Sequence, residues 1–598
     1  MQCPLTRFLK TRGLDSGNLE QGSPGNPRRC SHMNQAWILE FVILLCSVWV
    51  ELPVEAAPGK CEQIIPTYAP FDPAQISRHV RTLAADEFEG REPGSTGEAL
   101  TLHYLRKQFA ALGLKPGGDH GEWTQVVPLQ RFILQPGAYL RIVSPAETIE
   151  LQSGIDWAGS SLAGIPQVQI RDAPMVFVGY GVSAPERGWD DYKDVDLHGK
   201  VAIFLINDPD FEASVPGKFG GKAMTYYGRW SYKFEEAARR GALAALIVHE
   251  RDPASYDWAT VRSSWGAAQF DIQRRDPRLI HPLFEGWLTR EAAVRLFDRA
   301  DLSFDRLKHQ AMETDFRPVV LRGSRLSLSI SVGVQRVLSH NVIAQLLGRA
   351  DPQESVVFSA HWDHLGIGLP DASGDRIYNG AVDNAIGVAG LLELARVFVH
   401  EPRPRRSVLF IAFTGEEKNL LGSNYYVQHP VRSLVQTAAV FNMDTFNPHG
   451  AACDAQLWGN AQNSLEDLVA EHALRQGRTL SSDSHPEAGH YYRSDHFAFA
   501  RQGVPAITVS SGRTLYEGGE GRGEALYQDY MQHHYHQPSD EWSPTWDLRG
   551  MALDLRLLHD SGREIADSNE WPQWLATSEF KPMRDGSAAQ RKAGKDGP

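Results

Sequence analysis

Four segment edges in this sequence carry side chains that bind cations or move protons. Val356–Ala360 runs into His361-Trp362-Asp363-His364, Val408–Phe413 into Thr414-Gly415-Glu416-Glu417, and Ala439–Met443 into Asp444. The pair Asp383-Asn384 opens an apolar stretch that begins at Ala385. Carboxylates and imidazoles are the N/O donors that hold divalent cations. Each has a plainer reading by itself. A His at a strand end is an ordinary loop residue, Asp-Asn before a helix is an N-cap, and paired Glu residues suit the first turn of a helix. Those readings leave unexplained why all four edges carry such groups at the same end. A nucleophilic serine does not compete, because no G-x-S-x-G turn occurs.

Groups of this kind need a scaffold that brings strand ends together. From about Val337 the chain alternates apolar runs (Asn341–Leu347, Val356–Ala360, Val408–Phe413, Ala439–Met443, Ala506–Ser510) with helical stretches, notably Asn384–His400 and Ser464–Gln476. Near-continuously apolar strands are those of a parallel sheet covered on both faces. Strands alternating with helices give an α/β, doubly wound, mostly parallel sheet. In open sheets of this type ligands bind beyond the carboxyl ends of the strands, which is where the donors fall.

Upstream, Gly97–Leu112 repeats apolar residues at helical spacing, with Ser95 and Glu98 placed as a capping box. Residues 165–320 differ in texture: strand-like Met175–Val182 and Val201–Ile206 lie among long aromatic, Gly-rich and charged loops. We read residues 1–56 as a leader, 57–164 as the first part of the main domain, 165–320 as an inserted domain, 321–578 as the catalytic part and 579–598, rich in Lys, Gly and Ala, as a disordered tail.

The chain has 598 residues, enough for more than one domain, and its net charge of −13 argues against a nucleic-acid partner. Ala36–Val50 is apolar but short for a membrane span, and Val54-Glu55-Ala56 offers a small-residue cleavage site. This reads as an export signal removed before Ala57, with Met1 and Met33 both open as start codons and no stable membrane insertion afterwards. A secreted or periplasmic location follows. Cleavage leaves Cys61 and Cys453, which pair or stay free.

The stretches SAHWDHLGIG, NGAVDNAIGVAGLLELAR, FTGEEKNLLGS, FNMDTF and HYHQPSDEW, in this order, resemble the zinc exopeptidase family with a co-catalytic metal pair. That family includes di-zinc aminopeptidases, glutamate carboxypeptidase and the transferrin receptor. EFEGREPGSTGEAL resembles the segment that opens its bacterial members, and GYGVSAPERGWDDYKDVDLHGKVAIF resembles the mainly β protease-associated domain that many members insert. The resemblance implies two Zn²⁺ per chain, with Mn²⁺ or Co²⁺ as substitutes. His361 and Asp444 would hold one ion, Glu417 and His536 the other, and Asp383 would bridge both, followed by a cis Asp383–Asn384 peptide. Asp363 would orient His361, Glu416 would be the general base, and Tyr535 would steady the tetrahedral intermediate. Ser494-Asp495-His496 resembles the family's loop near the site. The one visible departure is Asn419 where a Gly is usual, and Asn tolerates a left-handed backbone; Lys418 adds a cation beside it.

Such a pair clamps a hydroxide and the scissile carbonyl. The reading is a secreted metallo-exopeptidase acting on peptides, as an aminopeptidase if Asp363, Glu393, Asp495, Asp540 and Glu541 face a substrate ammonium. Arg376, Arg493 and Arg513 offer the alternative of a carboxylate clamp and a carboxypeptidase. A glutaminyl-cyclase-like enzyme and a receptor-like protein share the fold, and retention of the five ligands with Glu416 speaks against both. Side-chain preference and oligomeric state are not readable.

Overall fold

A computed structural model of the protein describes residues 65–593 except 145–146, 214–216 and 460–461. The expected leader, its cleavage site and Cys61 lie outside the described residues. Cys453 is disulfide-bonded; all other cysteines lie outside the described residues as well. Among the described residues no helix is long and apolar enough to cross a membrane.

The floor of the fold is a run of four parallel strands in the spatial order Arg406–Phe413, Asp351–His361, Thr437–Asn442 and Ala506–Ser511. Every residue of the first, third and fourth is buried, which is why their central residues are apolar on both faces rather than alternating. On one face, Phe358, Phe410 and Phe441 pack with Leu391 and Leu394 of the helix Ile386–His400 and with Met551 and Leu555 of Arg549–Asp567. On the other, Val357, Leu409 and Val440 meet Tyr426 and Phe499. The sheet is therefore doubly wound, and antiparallel strands flank it: Asp454–Leu457 pairs with Ala506–Ser511, and the end of Val319–Leu346 pairs with Arg406–Phe413.

Val319–Leu346 is a single strand of 28 residues. Its last residues belong to the first sheet, while Val319–Ser331 pairs with Gln167–Phe177 in a second sheet. That second sheet continues in parallel through Val201–Leu205, Ala244–His249 and Phe284–Thr289. Parallel neighbours need crossover connections, so helices such as Trp230–Arg239 and Trp258–Gly266 lie between these strands. The unit is mixed α/β rather than mainly β. Its core also reaches past 165–320 at both ends, taking in Leu140, Ile142, Leu151 and Trp157 before and Leu326, Leu328, Ile330 and Val332 after. The short strands Tyr139–Val143 and Trp157–Ser160 hydrogen-bond into this sheet, a long-range pairing that texture does not announce.

The tail also departs from expectation. Lys581–Gly586 and Ala588–Ala593 are helical. The buried Arg584 donates to the carbonyls of Thr437 and Ala438, at the start of a central strand. Phe580 packs on Trp574 with ring centroids 5.0 Å apart. Two anchors suffice to order a segment whose composition is otherwise polar.

Near the N-terminal side of the described chain, the helix Thr96–Ala111 is capped as its sequence suggests, with Ser95 Oγ accepting the Glu98 N–H. The Glu98 carboxylate does not close the capping box. It accepts from the Gly94 N–H and Ser339 Oγ, and lies 2.9 Å from His340 Nδ1.

Candidate metal centre

The carboxyl ends of the parallel strands deliver their donors to one buried spot. His361 is the last residue of its strand, and its Nε2 lies 3.3 Å from both Asp383 Oδ1 and Asp444 Oδ1. Asp383 sits in an irregular turn, Ala381–Ala385, with a cis Asp383–Asn384 peptide. Gly380 opens that turn at φ +55°, where a Cβ would meet the Asp383 carbonyl at 2.3 Å. Asn384 Nδ2 donates to the Met443 carbonyl at 3.0 Å, tying the turn to the strand that carries Asp444. The second oxygen of Asp383, Oδ2, is 3.3 Å from His536 Nε2, which stands 3.0 Å from Glu417 Oε2. Two donor sets thus share one carboxylate, through one oxygen each.

The supporting contacts fix these groups. Asp363 Oδ1 accepts the Glu416 N–H at 3.1 Å and is 3.8 Å from His361 Nδ1, whose nearer contact is the Asp363 carbonyl at 3.2 Å. Ser494 Oγ donates to Asp444 Oδ2 at 2.6 Å and in turn accepts from Asn442 Nδ2. Tyr535 stacks on the His536 ring at 4.0 Å, and its hydroxyl accepts from Arg493 Nη2 at 2.6 Å. Asn419 adopts φ +78°, the left-handed backbone its type allows.

His364, Arg91 and Ser264 have no role assigned from sequence, and Asp540, expected to face a substrate ammonium, is engaged with the backbone instead. His364 Nδ1 is 2.5 Å from Glu417 Oε1, so the carboxylate is held on both oxygens. The buried Arg91 donates to the carbonyls of Trp362, Leu83, Asn379 and Gly380, clamping the backbone beside His361 to the turn before Asp383. Asp540 accepts the N–H groups of Val382 and Asp383. Ser264, from the second sheet's helix, reaches His536 Nδ1 at 2.8 Å. Arg91 lies inside the quoted segment EFEGREPG, and His364 inside HWDH; their types were visible, their partners were not.

Burial penalises every charge here, and the neighbours decide the outcome. Burial, reinforced by Asp444 and Glu417 against the opposing His361, holds the Glu416 carboxyl well above the usual range. Burial lifts Asp363 to about 7. Glu417 resists burial because His536 and His364 face it, and it falls well below. Burial would depress His536, yet Glu417 and Asp383 push it up to about 9. Four carboxylates, those of Asp383, Glu416, Glu417 and Asp444, converge on two ring nitrogens. Buried charge of one sign calls for a counter-charge, and this N/O donor set fits divalent metal ions.

The donors open into a cavity of about 910 Å³ walled by both sheets' elements, including Tyr226, Arg229 and Tyr256 on one side and Glu416, Arg493 and Tyr535 on the other.

Residues 341–555 match the model of Peptidase family M28. Over that span the chain is similar to this peptidase family. The matched span contains all five ligand candidates with Glu416, whereas Arg91 and Ser264 lie outside it. A probable zinc metalloprotease of Pyrenophora teres f. teres is 41% identical over 103 residues, 17% of this chain and 22% of that protein. The aminopeptidase NAALADL1 of Mus musculus is 30% identical over 128 residues, 20% of this chain and 16% of that protein. The chain spans about a fifth of the length of the first curated relatives it matches, 22% and 23%. In structure, the aminopeptidase from Aneurinibacillus sp. strain AM-1 is similar over 84% of this chain and 96% of that one, with a TM-score of 0.50 and 18% identity, a likeness of fold. The match to Peptidase family M28 over residues 341–555 and the mixed, mostly parallel sheet agree with the architecture expected from the sequence.

Proposed function

We propose that this protein is a zinc exopeptidase that holds two ions per chain. His361, Asp383 and Asp444 would bind one ion, and His536, Asp383 and Glu417 the other. The observation that carries this is Asp383, which offers Oδ1 to the His361 set and Oδ2 to the His536 set. When bound, the ions supply Lewis acidity that activates water and polarises the scissile carbonyl. Glu416, beside the His361 set, takes the proton of the attacking water. It returns the proton to the amine nitrogen as the C–N bond breaks. Asp363 fixes Glu416 through its backbone N–H. Tyr535, polarised by Arg493, places a hydroxyl donor at the cavity wall for the oxyanion. Elemental analysis of the purified protein should find two zinc ions per chain, and a strong chelator should abolish peptide hydrolysis reversibly; one ion or none per active chain would overturn the pair.

The end of the peptide attacked is read first as the amino end, on the strength of the mouse relative's name and shared segment. A second reading has its own observation. Several acids expected to face a substrate ammonium are engaged elsewhere: Glu393 accepts from the Asp72 N–H and pairs with Arg396, and Asp540 holds two backbone N–H groups. In the cavity wall, Arg229 has a buried Nε without a partner and Arg493 as its main charged neighbour. Two adjacent guanidinium groups suit a substrate carboxylate, which favours a carboxypeptidase. A peptide pair decides: an aminopeptidase cleaves the C-amidated peptide and spares the N-acetylated one, and a carboxypeptidase does the reverse.

We read the second-sheet unit as a protease-associated type of domain, and the protein as exported. N-terminal sequencing of the mature protein should begin at or close to Ala57; a mature form retaining Met1 would refute export.

A further inference from the structure

The helix Trp258–Gly266 belongs to the second sheet's unit. Its Trp265 packs against Trp230 and Phe234, with ring centroids 5.8 and 5.6 Å away. The residue before it faces the metal centre. Ser264 Oγ lies 2.8 Å from His536 Nδ1, across 272 residues of sequence. The carbonyl of the same Ser264 accepts from Lys418 Nζ at 3.3 Å and from Gln269 Nε2 at 2.8 Å.

An imidazole presents a lone pair to a cation on one nitrogen only if its proton sits on the other. His536 Nε2 faces Asp383 Oδ2 and Glu417 Oε2. Its proton then belongs on Nδ1, where Ser264 Oγ is placed to accept it. Tyr535 covers one face of the ring, so the hydroxyl contact sets the remaining freedom, rotation in the ring plane. Lys418 directly follows Glu417, and its buried ammonium is anchored by the Ser264 carbonyl. One residue of the second unit therefore secures both non-shared donors of one set, His536 by its side chain and the Glu417 turn by its main chain.

We propose that Ser264 is a positioning residue for the ion held by His536 and Glu417, so that the second unit is a working part of the metal centre and not only a wall of the cavity. This rests on the reading of His536 as a zinc ligand. Partners that fix a ligand's tautomer are worth about 10–100-fold in metal affinity.

The test uses the full-length protein loaded with zinc and titrated with a chromogenic chelator, alongside unfolding of the zinc-free forms. In Ser264→Ala one of the two ions should be released at about 10–100-fold lower chelator concentration, while the other is held as in the wild type. Ser264→Thr should restore the affinity because it restores the hydroxyl. If Ser264→Ala folds poorly, Ser264→Thr and Ser264→Val, matched in shape, isolate the hydroxyl, and the Thr form should hold that ion at least tenfold more tightly. Equal release of both ions in all variants, or a Thr form as weak as the Val form, would overturn the proposal. A wild type that binds fewer than two ions removes the two-zinc reading first and this one with it, an outcome distinguishable from two tight ions that ignore Ser264.

Discussion

Glu416 and Glu417 are adjacent in sequence yet approach different imidazoles. Glu416 Oε2 stands 3.8 Å from His361 Nε2, while Glu417 Oε2 is 3.0 Å from His536 Nε2 and its other oxygen is held by His364. The left-handed Gly415 before them and the left-handed Asn419 and Leu420 after them turn the backbone sharply enough to allow it.

That divergence predicts different defects. Glu416→Gln should lower turnover by about 10²–10⁴-fold with zinc content near two per chain. Glu417→Gln should lose one ion more readily, because a neutral amide is a poorer ligand. Elemental analysis with turnover measurement checks both; loss of zinc in the first and retained activity would reverse the assignment.

Arg91 gives the second prediction. Its guanidinium donates to the carbonyls of Trp362, Asn379 and Gly380 beside both ligand turns, and to that of Leu83 at a helix end. Arg91→Met leaves those carbonyls buried without donors, at a cost on the order of 3 kcal/mol or more. Arg91→Lys should recover only part of it, since an ammonium cannot match the fork of five donors. Denaturant unfolding of the zinc-free proteins measures this, and a wild-type midpoint for the Met variant would show that the clamp is unimportant.

A pH dependence comes from the second unit. His281 is 2.7 Å from Glu285 and 3.3 Å from Asp271. Burial pulls its pKa down, but the two acids together push it up to about 10. The folded value lies above the unfolded one of roughly 6.5. Its stabilising contribution is therefore complete below about pH 6.5 and is lost as pH rises through about 10. Burial lifts Glu285, which trims the effect without changing its sign. Between pH 7 and 10 the wild type should lose more stability than His281→Gln; parallel pH curves for the two proteins would contradict this.

Removal of the segment after Ser578 takes away Phe580 and Arg584 together. It leaves the Thr437 and Ala438 carbonyls without the Arg584 donors and uncovers Trp574. The truncated protein should be less stable by about 1–3 kcal/mol, and Arg584→Ala alone should reproduce part of the loss. A melting temperature equal to that of the intact chain would mean the helices only rest on the surface.

What was legible in the sequence follows from what is local. The central strands announce themselves because burial on both faces favours apolar runs, and His361, Glu417 and Asp444 are conspicuous at or just past their ends. Asn419 could be read as left-handed from its type. Ser264 could not be found this way, since nothing near it in sequence marks a residue that serves a His 272 positions later. Arg91 was in view, but its function depends on carbonyls that only folding assembles. Tyr139–Val143 and Trp157–Ser160 are ordinary short strands whose allegiance is likewise settled by distant partners.

The strand Val319–Leu346 has a mechanical consequence. At about 3.3 Å per residue, its 28 residues make one continuous ribbon that is hydrogen-bonded into both sheets. Two bodies joined by a loose linker can swing apart by rotating a few backbone bonds. Two bodies threaded on a common β-strand can part only by twisting or bending it, a stiff deformation that strains pairing on either side. Access to the cavity must then come from compliance of the loops at its mouth, and the spacing between its walls is set once, when the chain folds.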